Sequence, residues 1–311
     1  MAKQSYQVFD ITLSRRTQVS PSLVRFTFTG PDVSRMATYA PDQRIKLFFP
    51  EAQSSLEALF DCVAGEPDGW YAAYRALPEA LRPPMRTYTI RELRAERGEV
   101  DVEFVLHGDE GPASRWAMRA QPGDRLAMTA PVADVESAGV GYEWKPPRGV
   151  KRILVVADET ALPAAAGILE ELAVRADRPQ VEALIEVPLG DDTQALPSTA
   201  KVSWLPRDAI PGCAHGERLL CAVRDIDLRA EVASLGGKPE SVDANADVHE
   251  EPGDELLWEA ATADDGAPFY AWIAAESKVA LGIRRYLVNE CGLPKRYVSS
   301  MGYWREGKVL G

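Results

Sequence analysis

Ile153-Leu154-Val155-Val156-Ala157-Asp158-Glu159-Thr160-Ala161-Leu162-Pro163-Ala164 marks the point where the chain changes character. Ile153 to Ala157 is a continuous apolar run, the pattern of a parallel strand buried on both faces. A short polar turn follows. Then Leu162, Ala165, Ala166, Leu169, Leu172 and Ala173 recur at helical spacing. Downstream, strands are expected at Val181–Val187, near Val202–Leu205, at Phe269–Ala274 and at Tyr297–Trp304. Helices are expected near Glu217–Val223 and over Ser277–Glu290. Strand–helix alternation predicts a parallel sheet with covering helices.

Upstream the pattern differs. Tyr6–Leu13, Leu23–Thr29, Arg44–Phe49, Arg86–Arg91, Val100–Leu106 and Arg125–Thr129 are short runs rich in β-branched and aromatic residues. Gly, Pro and Asp turns break them, which predicts an antiparallel barrel. Leu56–Leu81 reads as a helical excursion before Pro83-Pro84. The predicted organisation is a β-barrel domain over 1–131, a linker over 132–149 and an α/β domain over 150–311. Glu231–Asp265 holds 11 acidic residues against one basic, Lys238, and reads as a mobile solvated excursion. Leu256-Leu257-Trp258 could anchor it to the surface.

With 311 residues, two domains are the default at roughly 100–200 residues each. The chain is 46% apolar and 26% charged, ordinary for a protein with a sizeable core. Its net charge of -12 argues against nucleic-acid or anionic-membrane partners. An anionic ligand must be met by local basic residues. No apolar run reaches the ~18 residues of a spanning helix. Met1–Thr12 lacks a signal-peptide core, so a cytoplasmic location is expected. Cys62, Cys213, Cys221 and Cys291 are scattered and read as reduced thiols. With only three histidines and no Cys-x-x-Cys, no metal site borne by His and Cys is expected.

Three stretches could carry chemistry. In Arg86-Thr87-Tyr88-Thr89-Ile90-Arg91, alternation places Arg86, Tyr88 and Ile90 on one face, with Thr87, Thr89 and Arg91 on the other. A flavin could stack on Tyr88, bond to Thr89 and pair its phosphates with the planar fork of Arg86. In the stretch from His107 to Trp116, Gly111-Pro112-Ala113-Ser114 is a helix-start signal. Its small residues would let a pyrophosphate reach free backbone N–H groups. His107 and Trp116 would pack nearby. Third, Asp158-Glu159-Thr160-Ala161 follows the first parallel strand, where doubly wound sheets bind dinucleotides. No Gly-x-Gly-x-x-Gly is present, and Thr160 is expected to cap the helix.

These stretches, in this order and with Gly302-Tyr303-Trp304-Arg305-Glu306-Gly307 at the end, resemble the siderophore-interacting proteins. That family consists of FAD-dependent ferric-siderophore reductases with a ferredoxin-reductase-like fold. The resemblance implies an N-terminal FAD-binding barrel and a C-terminal NAD(P)H-binding α/β domain. It assigns Arg86, Tyr88, Thr89, Ile90, Arg91, His107, Gly111, Pro112, Ala113, Ser114 and Trp116 to FAD. Asp158, Thr160 and Ala161 would touch FAD or the NADH or NADPH donor. Lys46 and Arg305 are the expected contacts to the anionic ferric siderophore. Two alternatives stand beside this reading. One is a flavin reductase with another acceptor, or one fed by ferredoxin. The other is a flavin- or siderophore-binding protein without turnover.

Overall fold

The computed structural model describes residues 6–50, 53–65, 69–106, 111–133, 140–197, 199–236 and 258–307. The chain divides into two compact units, the first running to Tyr142 and the second starting at Glu143.

The first unit holds β1 (Tyr6–Ser20), β2 (Leu23–Thr29), β3 (Arg44–Phe48), β4 (Met85–Thr89), β5 (Glu92–Arg94), β6 (Glu99–Val105) and β7 (Arg125–Pro131). They form one sheet in the order β4-β3-β7-β1-β2-β6-β5, with every pair antiparallel. The sheet curls: Tyr88 of β4 stacks on Phe104 of β6 at 4.1 Å, and the Arg91 N–H donates to the Asp101 carbonyl at 2.9 Å. Ile11, Leu13, Phe26, Phe28, Ile45, Leu47, Phe104 and Met128 fill the interior. Burial of each stabilises the unit by roughly 1.5–3 kcal/mol. Helices α1 (Gln53–Gly65) and α2 (Trp70–Ala76) form the excursion between β3 and β4, packing Leu56, Leu59 and Tyr74 on Phe48 and Ala127. Helix α3 (Pro112–Arg119) follows β6.

Two elements exceed the sequence expectation. β1 runs on to Ser20 because its second half pairs with β2, from Arg15 opposite Thr27 to Ser20 opposite Leu23. Ser14 to Thr17 are exposed, so backbone pairing rather than an apolar face holds this part. β5 is an added edge strand, fixed by Arg94, which binds Glu92, Glu99 and Asp101 at 2.7–2.8 Å.

The second unit holds β8 (Arg152–Ala157), β9 (Gln180–Val187), β10 (Lys201–Pro206), β11 (Trp258–Glu259), β12 (Phe269–Glu276) and β13 (Val298–Trp304). Their order is β10-β9-β8-β12-β13-β11. All pairs are parallel except β11 with β13. Helices α4 (Leu162–Val174), α5 (Glu217–Arg224), α6 (Arg229–Ser234) and α7 (Ser277–Arg285) connect the strands. α4 buries Leu162, Ala165, Ile168, Leu169 and Leu172, as its spacing requires. The strand order reverses between β8 and β12, which makes that boundary the switch point where such sheets bind ligands.

The described ends of the acidic stretch are tied down, at Trp258 as the sequence allowed and also at Glu231. Glu231 accepts from Arg152 at 2.8 Å. Trp258 and Glu259 join the sheet edge, with Trp258 stacked on Tyr303 at 6.0 Å. Leu256 and Leu257 lie outside the described residues. The segment from Glu143 is likewise fixed: the Tyr270 hydroxyl donates to the Glu143 carbonyl, and Trp144 Nε1 donates to Glu171 at 2.9 Å.

Phe104 lies 4.8 Å from Phe26 and 4.1 Å from Tyr88, ring centre to ring centre. Phe104→Ala is expected to cost the first unit about 3–5 kcal/mol. Chemical denaturation followed by Trp116 fluorescence checks this, and unfolding of the second unit should be unmoved.

Candidate functional site

In the first unit, β3 and β4 pair with Lys46 opposite Thr87 and Leu47 opposite Arg86. Because side chains alternate, the lysine and arginine leave the sheet on opposite faces. Lys46 Nζ donates to Thr87 Oγ1 at 2.6 Å, and Arg86 Nη1 donates to the Met85 carbonyl at 2.7 Å. Among the described residues neither cation pairs with a carboxylate. Burial lowers the Lys46 pKa, helped by the Arg44 charge. Burial lowers that of Arg86 as well. Opposite Lys46 on β7, the buried Thr129 hydroxyl has no partner.

Tyr88 shares the Arg86 face and packs on the barrel core through Phe104, and burial raises its phenol pKa. Ile90 is a core residue and Thr89 is buried on β4 opposite Arg44. Arg91 Nε lies 3.7 Å from Glu103 Oε1, an oxygen that also takes two bonds from Arg25. Helix α3 opens as its sequence requires. Gly111 sits at φ +94°, a region that favours glycine, and Pro112 is in the first turn. No side chain caps this end, and Ala113 and Ser114 are buried there. Trp116 faces inward, between 5.2 and 6.0 Å from the rings of Phe26, Phe28, Phe49 and Phe104. His107 lies outside the described residues.

In the second unit, the carboxyl ends of the strands carry a dense ionic cluster. Asp158, fully buried after β8, accepts through Oδ1 from the Thr160 N–H, the Thr160 hydroxyl and the Ala161 N–H. Its Oδ2 accepts from the Glu276 N–H at 2.8 Å and Trp304 Nε1 at 2.9 Å. Thr160 therefore does not cap α4. Its hydroxyl turns back to Asp158, which gathers the turn in its place, and Ala161 stands at the cap position with no side-chain bond.

Arg207, just after β10, grips Glu159 with both terminal nitrogens at 2.6 and 2.8 Å and reaches Glu186 at 3.1 Å. Glu186 ends β9 and also accepts from the Gly216 and Leu219 N–H groups. Gly216 is at φ +78°, and a Cβ there would stand 2.1 Å from Val279, so only glycine lets α5 start so close to α7. Beside it, His215 Nε2 lies 3.5 Å from Asp158 and 3.4 Å from Glu159, with its ring edge-on to Trp304 at 5.0 Å. Arg207, Glu186 and His215 carry no motif in the sequence. They meet the Asp158 turn only through the parallel order of the sheet.

Asp158, Glu159 and His215 bring ligand atoms within 4.8 Å of one another, a donor set that could hold a cation. Arg207 already occupies both Glu159 oxygens, and five donors saturate Asp158. The guanidinium thus fills the role a metal would take. Burial pushes the Glu159 carboxyl up, but Arg207 and His215 overcome this and hold it at about 2. Burial and the Glu159 charge push Asp158 up. Burial lowers the His215 pKa, yet the two carboxylates prevail and raise it. Arg305 is half-buried just beyond β13, and among the described residues no carboxylate pairs with it.

Residues 12–135 match the siderophore-interacting FAD-binding domain, and residues 150–307 match the siderophore-interacting protein domain. The chain belongs to the siderophore-interacting protein family. Its first unit is that family's FAD-binding domain. The NADPH-dependent ferric-chelate reductase of Escherichia coli is 28% identical over 300 residues, 95% of this chain and 92% of that protein. The crystal structure of a siderophore utilization protein from T. fusca has a TM-score of 0.68 at 26% identity, covering 99% of this chain and 96% of that one. The ferredoxin-NADP+ reductase of Plasmodium falciparum, at 10% identity and a TM-score of 0.55 over 94% of each chain, shares the fold. This siderophore-interacting protein thus has the ferredoxin-reductase-like architecture, and no helix among its described residues is long and apolar enough to cross a membrane.

Arg207→Met should cost about 3–5 kcal/mol at neutral pH, because it leaves buried Glu159 and Glu186 uncompensated. The wild-type gain from Glu159 is present above its unfolded pKa of about 4.3 and is lost as pH falls toward about 2. In the variant, burial is opposed only by His215, so the carboxyl pKa rises from its wild-type value and protonation relieves part of the penalty. Urea denaturation at a series of pH values should show the gap narrowing between about pH 7 and about pH 4.

Proposed function

We propose that this protein reduces ferric siderophores in the cytosol, drawing electrons from NADH or NADPH through FAD. The observation that carries the reading is the pair of cations on β3 and β4. In a chain of net charge -12, Lys46 and Arg86 meet no carboxylate among the described residues. A half-buried cation without a partner is costly unless an anion visits it.

The surrounding residues fit FAD. The Arg86 fork matches phosphate oxygens. The uncapped start of α3, with Gly111, Pro112, Ala113 and Ser114, offers backbone N–H groups and the positive end of the helix dipole to a pyrophosphate. Tyr88, one face of which is held by Phe104, orients the flavin plane with its other face, and Thr89 bonds at the ring edge. Ile90 and Trp116 shape the wall from the core side. Arg91, engaged with Glu103, positions this strand end, and the family resemblance adds His107 to the residues assigned to FAD. When bound, FAD supplies the redox chemistry, accepting hydride from a nicotinamide and passing single electrons to Fe(III).

In the first unit Lys46 is the proposed contact to the anionic chelate; in the second unit Arg305 is a candidate contact by charge. Lowering the charge on iron weakens its bonds to hard oxygen ligands, so reduction releases the metal. In the second unit, the nicotinamide nucleotide lies at the switch point between β8 and β12, over the turn of Asp158, Thr160 and Ala161. Asp158, its oxygens taken, acts by shaping that turn. The name of the Escherichia coli relative favours a nicotinamide donor over ferredoxin.

Anaerobic absorbance of the FAD-loaded protein tests the proposal. NADH or NADPH should bleach the flavin, and a ferric siderophore should then restore its colour. No bleaching by either nucleotide would remove the proposed donor and advance ferredoxin. Bleaching without recovery would point to a different acceptor. Lys46→Ala should raise the KM for the chelate about tenfold or more with FAD content unchanged, while Arg86→Ala should weaken FAD binding by a similar factor.

A further inference from the structure

His215 is a half-buried imidazole, both ring nitrogens shielded, for which the flavin chemistry has no use. Neither ring nitrogen makes a hydrogen bond, and Nε2 sits between two carboxylates at 3.4 and 3.5 Å. It stands at the carboxyl end of the sheet, next to the Asp158 turn that joins β8 to β12 at the switch point.

The charged groups facing the ring can be named element by element. The turn after β8 brings Asp158 and Glu159, and the turn after β10 brings Arg207. From β9, Glu186 holds that arginine and the N–H of Gly216, the next residue after the histidine. From β12, Glu276 meets Asp158 through its backbone N–H, with its carboxylate turned away to accept from Lys278, Val279 and Glu306. β13 contributes the uncharged indole of Trp304. On its own segment, Glu217 folds back to the Ala214 N–H, beside the Cys213 thiol. Of the three carboxylates, Glu159 and Glu186 share one guanidinium, while Asp158 faces only the histidine among charged side chains of opposite sign. Two negative charges stand uncompensated while His215 is neutral, and one when it is protonated.

We propose that His215 is the proton-dependent counter-charge of the nucleotide site, so that its protonation admits the anionic pyrophosphate of the nicotinamide donor and its deprotonation disfavours it. The inference rests on the reading that a nicotinamide nucleotide binds at the carboxyl end of this sheet. His215 is a positioning residue here, acting through the field and through Asp158 and Trp304. Arg207 cannot serve in its stead, because its terminal nitrogens are bound to Glu159 and Glu186. By linkage, a proton that strengthens nucleotide binding must itself be bound more tightly once the nucleotide is present. Carboxylate contact raises the histidine above its ordinary value of about 6.5, so it keeps its proton to higher pH than a free imidazole does.

The test uses the full FAD-loaded chain, with NAD+ and NADP+ as probes that bind without reducing the flavin. Calorimetric titrations from about pH 6 to about pH 9, in two buffers of different ionisation enthalpy, should show the Kd weakening about tenfold and proton uptake on binding. His215→Gln should bind weakly at every pH, with no uptake and an unchanged flavin spectrum. A variant that keeps the wild-type pH profile would overturn the assignment, as would a flat wild-type profile with tight binding. Absence of nucleotide binding at any pH would instead overturn the donor site itself, and this inference with it. A second measurement covers a variant that fails to fold. With only three histidines in the chain, the His215 resonance can be assigned by elimination through His107→Gln and His249→Gln. Its NMR titration should move to higher pH when nucleotide is added, and a downward or absent shift would sink the proposal.

Discussion

The carboxylate of Asp158 is the interaction on which the second unit depends. A buried anion is tolerated only when donors surround it. Here five do, drawn from the turn before α4, the end of β12 and the end of β13. Satisfying this one group therefore fixes the carboxyl ends of three strands relative to one another. Glu186 does the same for β9 and the start of α5, and Glu276 for β12 and the start of α7. The rim where a nucleotide would land is held by buried charge, while apolar packing on the sheet faces supplies the bulk of the stability. Such a rim is rigid, and it is negative.

The barrel is arranged the other way. Glu103 takes Arg25 and Arg91, Asp101 and Glu99 take Arg94, and Asp10 takes Arg125. On β3 and β4, Lys46 and Arg86 meet no carboxylate among the described residues. Net charge alone would suggest a protein hostile to anions. What matters to a ligand is the local imbalance, because charges farther away than about 10 Å are largely screened. An acidic protein can thus keep individual cations available to an anion by pairing its carboxylates with other arginines of the barrel.

Most of this fold was legible in the sequence, and the exceptions share a cause. The apolar run at Ile153–Ala157 and the helical spacing after it read directly as a buried strand and α4. Alternation in Val24, Phe26 and Phe28 read as β2. The far half of β1 and the short β5 were not visible, because pairing and arginine bridges hold them rather than an apolar face. Thr160 looked like a helix cap by its place in the turn, yet a stronger acceptor two residues earlier captured its hydroxyl. Local rules of that kind lose when a buried carboxylate competes for the same donors. In the acidic stretch the apolar Trp258 stood out as an anchor, but composition cannot show that Glu231 is tied to Arg152 of β8.

The site was legible to the extent that its residues are neighbours in sequence. Arg86, Tyr88 and the Gly111–Ser114 turn declare themselves within a few positions, while Lys46 came only from the family resemblance. Arg207 and His215 do not, since their partners lie about fifty residues away and meet them only across β8, β9 and β10. Their discovery changes what the nucleotide end can do. An arginine at the end of a third parallel strand invites assignment as a phosphate anchor, but this one is committed to two buried glutamates. Withdrawing it would expose those charges, which costs more than a phosphate contact returns. Beside these fixed carboxylates, the group that can gain a proton in place is His215, the only histidine among the described residues. Imidazole is also the one side chain whose ordinary pKa lets it do so near neutral pH. In that sense the rim's rigidity and its pH dependence have one origin: carboxylates fixed so firmly that only a proton can change their balance.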